Sequence, residues 1–320
     1  MAMSAHSSRT MQRVCTIGTL LCAALLAGAP AVRAQDATPP TVAAAPAELS
    51  GTLAKVRASG SIALGYRQSS VPFSFLSPRQ EPIGYSVELC KALVSSIEDA
   101  INRNLAIRWV PVTAASRIDA VESGQIDLEC GSTTNNIERQ KRVAFSPTIF
   151  VSGTKLMVKK GSAVRSFRDL AGKKVAVTAG TTNEKALQDL DRRFKLGMQI
   201  ITSPEHAQSF DLVASGQADA FATDDVLLHG LIAQRGVKAN YVVLGDDLSY
   251  DPYGIVFRKN DPQLAKVVRD AFQILAEDGE MERQYKRWFL RKLPTGESID
   301  LPMSAQLASI IEAMAVKPAE

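Results

Sequence analysis

Two stretches of this chain repeat each other 92 residues apart, and that constrains the fold more than any other feature. Val121-Glu-Ser-Gly-Gln-Ile-Asp127 recurs as Val213-Ala-Ser-Gly-Gln-Ala-Asp219, with five of seven positions identical. At the same offset Pro111-Val-Thr113 falls on Ser203-Pro-Glu205. Each copy reads as a strand end, a helix stopped at Ser-Gly and a second short strand, with Gly124 and Gly216 suited to the left-handed position that ends a helix. The surrounding pattern agrees. Ile62 to Tyr66, Ile107 to Val112, Ile126 to Cys130, Val175 to Thr178 and Gln199 to Thr202 read as strands. Between them Val87 to Ile101, Ala114 to Ser123, Glu184 to Arg193 and Pro204 to Ser215 carry helical patterns. Such alternation predicts an α/β protein with largely parallel sheets, and the repeat predicts two similar lobes.

The N-terminus follows a different logic. Arg9 and Arg13 precede an apolar run from Val14 to Ala27, and Val32-Arg33-Ala34 offers small residues for cleavage, so residues 1–34 read as a secretory signal peptide. Residues 35–50 are rich in Ala, Pro and Thr and read as a flexible linker. Removing the signal segment takes away three arginines and no acid, which lowers the formal net charge from +4 to +1. A near-neutral mature chain gives no support for nucleic-acid binding. The expectation is an exported, unanchored protein. Cys90 and Cys130 remain in a compartment where disulfides form. Their placement, on the apolar side of a helix and in the alternation of a strand, reads as two buried thiols; spacing says nothing of pairing.

Ligands of open α/β sheets sit beyond the carboxyl ends of strands. There the first copy presents Gly131-Ser-Thr-Thr134 and the second Thr223-Asp-Asp225, so Ser132 aligns with Asp224. Arg139 and Arg117 both lie in the first turn of a predicted helix, where a cation opposes the macrodipole unless an anion, an acid or solvent accompanies it. Asn135 or Asn136 would cap the helix that carries Arg139. Arg67 ends the first strand. In the second half Thr181 and Glu184 have capping-box spacing, leaving Thr182 to offer an amide or hydroxyl. Ser203, Pro204 and Glu205 read as the cap and first turn of the helix that carries His206. Asp224 and Asp225 serve equally as cap or ligand on pattern. Of three histidines, His6 lies in the signal segment and His229 stands alone, so no metal cluster is expected, and no cofactor or nucleophile motif is present.

Gly65-Tyr-Arg-Gln-Ser-Ser-Val-Pro-Phe-Ser74, the run from Glu129 through Arg139 to Lys141, and Ala144-Phe-Ser-Pro-Thr-Ile-Phe150 carry a resemblance, with Glu277-Asp-Gly279 and Lys286-Arg-Trp-Phe289 behind them. The chain resembles the periplasmic glutamate/aspartate-binding proteins of ABC importers, within the extracellular solute-binding protein family 3. The resemblance implies a two-lobed periplasmic binding protein type II fold. Lobe 1 would comprise residues 51–154 and 252–320, lobe 2 residues 155–251, with crossings near Val151 to Leu156 and Tyr250 to Val256. It implies a non-enzymatic monomer of the periplasm that captures L-glutamate or L-aspartate and delivers it to a membrane permease. Arg139, Ser132 and Thr134 would hold the α-carboxylate and Asp224 the α-ammonium. Arg67, Arg117 and His206 would surround the side-chain carboxylate, and Thr182 would add a hydrogen bond. Three arginines against Asp224 leave +2 for a ligand of net −1. Ala114 stands where that subfamily tends to have Ser, and Ser86 where the wider family tends to have Asp. The alternative from another class is a secreted cyclohexadienyl dehydratase acting on prephenate or arogenate, which would need a general acid and room for a ring.

Overall fold

A computed structural model describes residues 48–316. The expected signal peptide and all but the last three linker residues lie outside that range. Those three are already docked: Gln263 donates to the Glu48 carbonyl at 3.0 Å, and the Ser50 amide donates to the Gln263 side chain at 2.7 Å.

Two five-stranded sheets share one topology. In the first, the strand order is Ala106–Pro111, Ser61–Tyr66, Leu128–Glu129, Val256–Arg258, Val143–Phe145. In the second it is Gln199–Ser203, Lys174–Thr178, Ala220–Asp224, Thr154–Lys159, Tyr241–Leu244. The first three strands of each are parallel, and the remaining two run antiparallel to their neighbours. The sheets are therefore mixed, where the alternation predicts largely parallel ones. The cause is local: Thr154–Lys159 and Val256–Arg258 enter their sheets straight from a crossing between lobes, without the crossover helix that a parallel neighbour requires. The repeated Ser-Gly stops are present in both lobes, with Gly124 at φ 76° and Gly216 at φ 78°. Because the parallel strands are covered on both faces, their residues form continuous buried runs, such as Val175 to Thr178 and Ala220 to Asp224.

The two crossing segments pair with each other. Phe150–Ser152 and Asp251–Tyr253 form an antiparallel ribbon in the register Phe150 with Tyr253, Val151 with Pro252 and Ser152 with Asp251. Although only 6% of the sequence is aromatic, rings concentrate at this ribbon. Phe73 meets Phe150 edge-on at 5.0 Å and Tyr253 at 5.1 Å, and Phe289 stacks on Phe150 at 5.0 Å. Each such pair adds about 0.5–1.5 kcal/mol beyond area burial, so the ribbon is anchored firmly in the first lobe. The chain crosses once more near its end. Glu297 donates its amide to the Ala233 carbonyl at 3.0 Å, Lys238 pairs with Asp300, and the helix Ala305–Ala315 packs back on Pro262–Glu277. Among the described residues no helix is long and apolar enough to cross a membrane.

Cys90 and Cys130 are buried as expected, but they are joined rather than free. Helix Tyr85–Ile101 lies over the end of strand Leu128–Glu129, bringing the Cα atoms to 6.1 Å and the sulfurs into a disulfide. Sequence position concealed this because 40 residues separate the two. Closing a loop of that length removes denatured-state freedom worth about 4 kcal/mol in the chain-entropy account. Reduction, or replacement of both cysteines by Ala, is expected to lower stability by about 2–4 kcal/mol, measured by urea titration with and without reductant.

Candidate functional site

Between the two sheets the first lobe contributes three guanidinium groups. Arg67 follows its strand directly and is fully buried. Its amide donates to Ser74 Oγ at 2.9 Å and its Nη2 to Glu205 Oε2 at 3.2 Å, while Nε and Nη1 have no partner within the protein. Arg117 opens the helix Arg117–Glu122 and donates Nη1 to the Ser132 carbonyl at 3.2 Å; its Nε and the buried Ser132 Oγ are unpartnered. Arg139 rides on the short helix Ile137–Gln140, which Asn136, not Asn135, caps by accepting from the Arg139 amide at 2.9 Å. Arg139 Nη1 donates to the Thr134 carbonyl at 2.8 Å, and Nη2 lies 3.5 Å from the Gly180 carbonyl of the second lobe. Closure at that point requires a glycine. Gly180 has φ 76°, and a Cβ there would come within 2.5 Å of Ala115 Cα.

Thr182, His206 and Asp224 come from the second lobe. Thr181 caps the helix Thr182–Phe194 by accepting from the Glu184 amide. The Glu184 carboxylate turns back to the Gly180 amide at 2.8 Å, one residue short of a closed capping box. Thr182 is thus the first helical residue, where backbone amides have no intrahelical acceptor. Helix His206–Ala214 begins later than expected: Glu205, not Ser203, occupies the N-cap position, and its side chain caps nothing. That carboxylate crosses the cleft to Arg67, where the Ser69 hydroxyl also donates to it at 2.8 Å. His206 is buried with Nδ1 2.8 Å from Thr178 Oγ1. Burial, followed by Arg67 and Arg117, pushes its pKa well below the usual range, so the ring is neutral at pH 7 and adds no charge to the cleft.

Asp224 is not a cap either. It holds the N-cap position of helix Asp225–Gln234 without a capping bond. Its carboxylate accepts from Asn183 Nδ2 at 2.7 Å and from the Tyr253 hydroxyl. Burial, then the nearby Asp251, pushes it up to about 7 against the pull of those two bonds. Burial and the positive charge of Arg139 lead the forces that push Arg117 down to about 9, with Arg67 adding to them against Glu129. A guanidinium does not give up its proton in a protein. Arg117 therefore stays charged, and the part of the push that comes from Arg139 and Arg67 reflects the crowding of like charge that an anion would relieve.

Three acids here were not anticipated. Glu129 is fully buried, accepts from the Thr133 hydroxyl at 2.6 Å on one oxygen and leaves the other unpartnered. Glu205 pairs with Arg67. Asp251, on the hinge ribbon, accepts from both Thr134 and Thr182. The balance of +2 expected from three arginines and Asp224 is therefore corrected: three more carboxylates share the cleft. Buried cations need counter-charges, and the one legible signal was Glu129, an acid between Leu128 and Cys130 in a central strand. Ala114 is buried in the turn that precedes Arg117. Among the described residues no group of three or more His, Cys, Asp or Glu could hold a metal ion.

The raised Asp224 sets a testable sign. Its folded value of about 7 lies above the ordinary 3.8, so its stabilising contribution is complete below the ordinary value and is lost as pH rises through 7. Asp224→Asn should therefore make the ligand-free protein more stable at pH 8, on the order of 2–4 kcal/mol, with no gain at pH 4. Thermal melts across pH 4–8 measure this.

Residues 62–291 match the model of the bacterial extracellular solute-binding proteins, family 3. The L-glutamate/L-aspartate-binding protein of Pseudomonas aeruginosa is 42% identical over 276 residues, covering 85% of this chain and 91% of that protein. The glutamate/aspartate import solute-binding protein of Salmonella typhimurium is 40% identical over 268 residues, covering 83% and 88%. Among solved structures, an ancestral amino-acid-binding protein that is a precursor of cyclohexadienyl dehydratase matches with TM-score 0.64 and 31% identity, over 74% of this chain and 99% of that one. An ancestral arginine-binding protein bound to arginine matches with TM-score 0.66 and 28% identity, over 72% and 98%. Two lobes of like topology, a paired hinge and these likenesses agree, and the chain belongs to the bacterial extracellular solute-binding proteins, family 3.

Proposed function

We propose that this protein captures L-glutamate or L-aspartate between its lobes, outside the cytoplasm, and delivers it to an ABC-type importer in the membrane. One observation carries the reading: in a single cleft, Arg67 Nε and Nη1, Arg117 Nε and Ser132 Oγ are buried donors without a protein acceptor. Each such group costs about 1–3 kcal/mol when left unpaired, more when charged. A small dianionic side of a ligand answers all four. In this reading Arg139 and Ser132 receive the α-carboxylate, Asp224 the α-ammonium, and Arg67 and Arg117 the side-chain carboxylate. Neutral His206 and the Thr134 and Thr182 hydroxyls complete the surround. Relatives named for glutamate and aspartate support the ligand class. A dehydratase is disfavoured, because those relatives are solute-binding proteins and the unpartnered buried groups of the cleft are anion-binding donors.

A calorimetric screen of the twenty amino acids tests the assignment; saturable binding of a basic amino acid with none of glutamate or aspartate would refute it. Arg139→Ala is expected to abolish binding of every amino acid. Arg67→Ala should weaken glutamate by about 2–5 kcal/mol and glutamine by less, because it also leaves Glu205 unpaired beside the side-chain pocket.

Proton linkage offers an independent check. An α-ammonium needs Asp224 ionised, and the free carboxyl sits at about 7. Glutamate binding at pH 6 should therefore release close to one proton, and affinity should rise by up to roughly tenfold per pH unit below 7 and level off above it. Calorimetry at pH 6 in buffers of different ionisation enthalpy reads the proton count directly.

A further inference from the structure

Asp251 lies on the hinge ribbon and is buried. Its Oδ1 accepts from Thr134 Oγ1 at 3.0 Å and from Thr182 Oγ1 at 2.9 Å, one hydroxyl from each lobe, and those two oxygens are 3.3 Å apart. The other carboxyl oxygen is occupied by a chain of donors. Asn183 Nδ2 donates to Thr154 Oγ1 at 2.6 Å, Thr154 Oγ1 lies 2.7 Å from Ser249 Oγ, and the Ser249 hydroxyl donates to Asp251 Oδ2. The Thr154 amide also donates to Ser249 Oγ at 3.1 Å. Since Ser249 spends its hydrogen on Asp251, Thr154 must donate to Ser249, and every bond in the chain points toward Asp251. Both of its carboxyl oxygens are acceptors.

A hydroxyl has one hydrogen and two lone pairs. With both threonine hydrogens committed to Asp251 Oδ1, no hydrogen lies between the two threonine oxygens, and neither has one left to donate. They can only accept. We propose that Asp251 is a positioning residue that sets the hydrogen-bond polarity of the cleft. It makes Thr134 and Thr182 a paired acceptor for a cationic N–H group, the α-ammonium of the bound amino acid. This rests on the amino-acid reading above and gives the Thr134 and Thr182 hydroxyls a definite partner within it. The Thr134 hydroxyl faces the ammonium rather than the α-carboxylate, which is left to Arg139 and Ser132. Because each lobe supplies one oxygen, the paired acceptor exists only when the lobes are closed, so selection for an amino group is made at closure.

The test compares L-glutamate with glutarate, which lacks only the amino group, by calorimetry and competition on the full mature protein. Wild-type protein should prefer glutamate strongly. Asp251→Ala frees both hydroxyls to donate, and should shrink the glutamate-to-glutarate affinity ratio by at least about tenfold, the worth of a hydrogen bond to a charged group. Asp251→Asn keeps an acceptor oxygen and should restore most of the ratio. A merely structural role would weaken both ligands alike, so an unchanged ratio in Asp251→Ala overturns the proposal. If that variant does not fold, Thr182→Val decides. Loss of glutamate affinity with glutarate unchanged supports the proposal, and equal losses overturn it. Absence of glutamate binding by the wild-type protein would instead remove the amino-acid reading beneath it.

Discussion

Holding the guanidinium groups of Arg67 and Arg117 out of water, with a third from Arg139 beside them, is the constraint around which the rest of the molecule is arranged. An uncompensated buried charge costs several kcal/mol, so the arginines are tolerated only with carboxylates close by and donors left over for something that is not protein. Glu129 approaches from the floor of the first lobe, Glu205 from across the cleft, and Asp251 from the hinge. The Arg67–Glu205 pair spans the two lobes, and only part of the Arg67 fork is used in it. Its remaining N–H groups are still without a protein acceptor, although the carboxylates of the cleft outnumber its arginines. Closure and ligand selection thus draw on the same few side chains.

The architecture supplies those side chains through a repeated plan. Each sheet presents polar groups at the end of its third strand, the loop Gly131 to Thr134 in one lobe and the strand-to-helix junction Asp224-Asp225 in the other. These two ends present opposite polarity, hydroxyls with arginines against a carboxylate. An α-amino acid has the same arrangement, with a carboxylate and an ammonium on one carbon. Between the two ends runs the two-stranded ribbon, fastened into the first lobe by Phe150 and Tyr253. Tyr253 also donates its hydroxyl to Asp224, so a residue of the hinge touches the proposed ammonium receptor directly.

Local patterns were legible in the sequence and long-range pairings were not. The βα alternation, the duplicated Ser-Gly helix stops at Gly124 and Gly216, and the clustering of Arg67, Arg117, Ser132, Thr134 and Arg139 at strand and helix ends follow from periodicity and capping chemistry. These act over a few residues. The antiparallel returns of Thr154–Lys159 and Val256–Arg258 depend on where the chain crosses between lobes, which periodicity does not encode. Glu205 meets Arg67 across 138 residues, and nothing near either one signals the other. Cap and ligand roles stay open for Asp224 on pattern because what decides lies in Asn183 and Tyr253, distant residues that claim its carboxylate. Ser203 misled as a cap because Ser-Pro-Glu is a good helix opening by composition, while the pairing of Ser203 with Thr178 extends the strand through it.

The disulfide between Cys90 and Cys130 joins the first-lobe helix to the residue just before Gly131, the start of the loop that carries Ser132 and Thr134. Thiols stay reduced in a cytosol and oxidise outside it. A newly made chain therefore carries every residue of its cleft before it carries the staple beneath them. Under the export proposed above, it is at its least stable while it still has a membrane to cross, when easy unfolding is an advantage, and it is stiffened on the side where it has to hold a ligand.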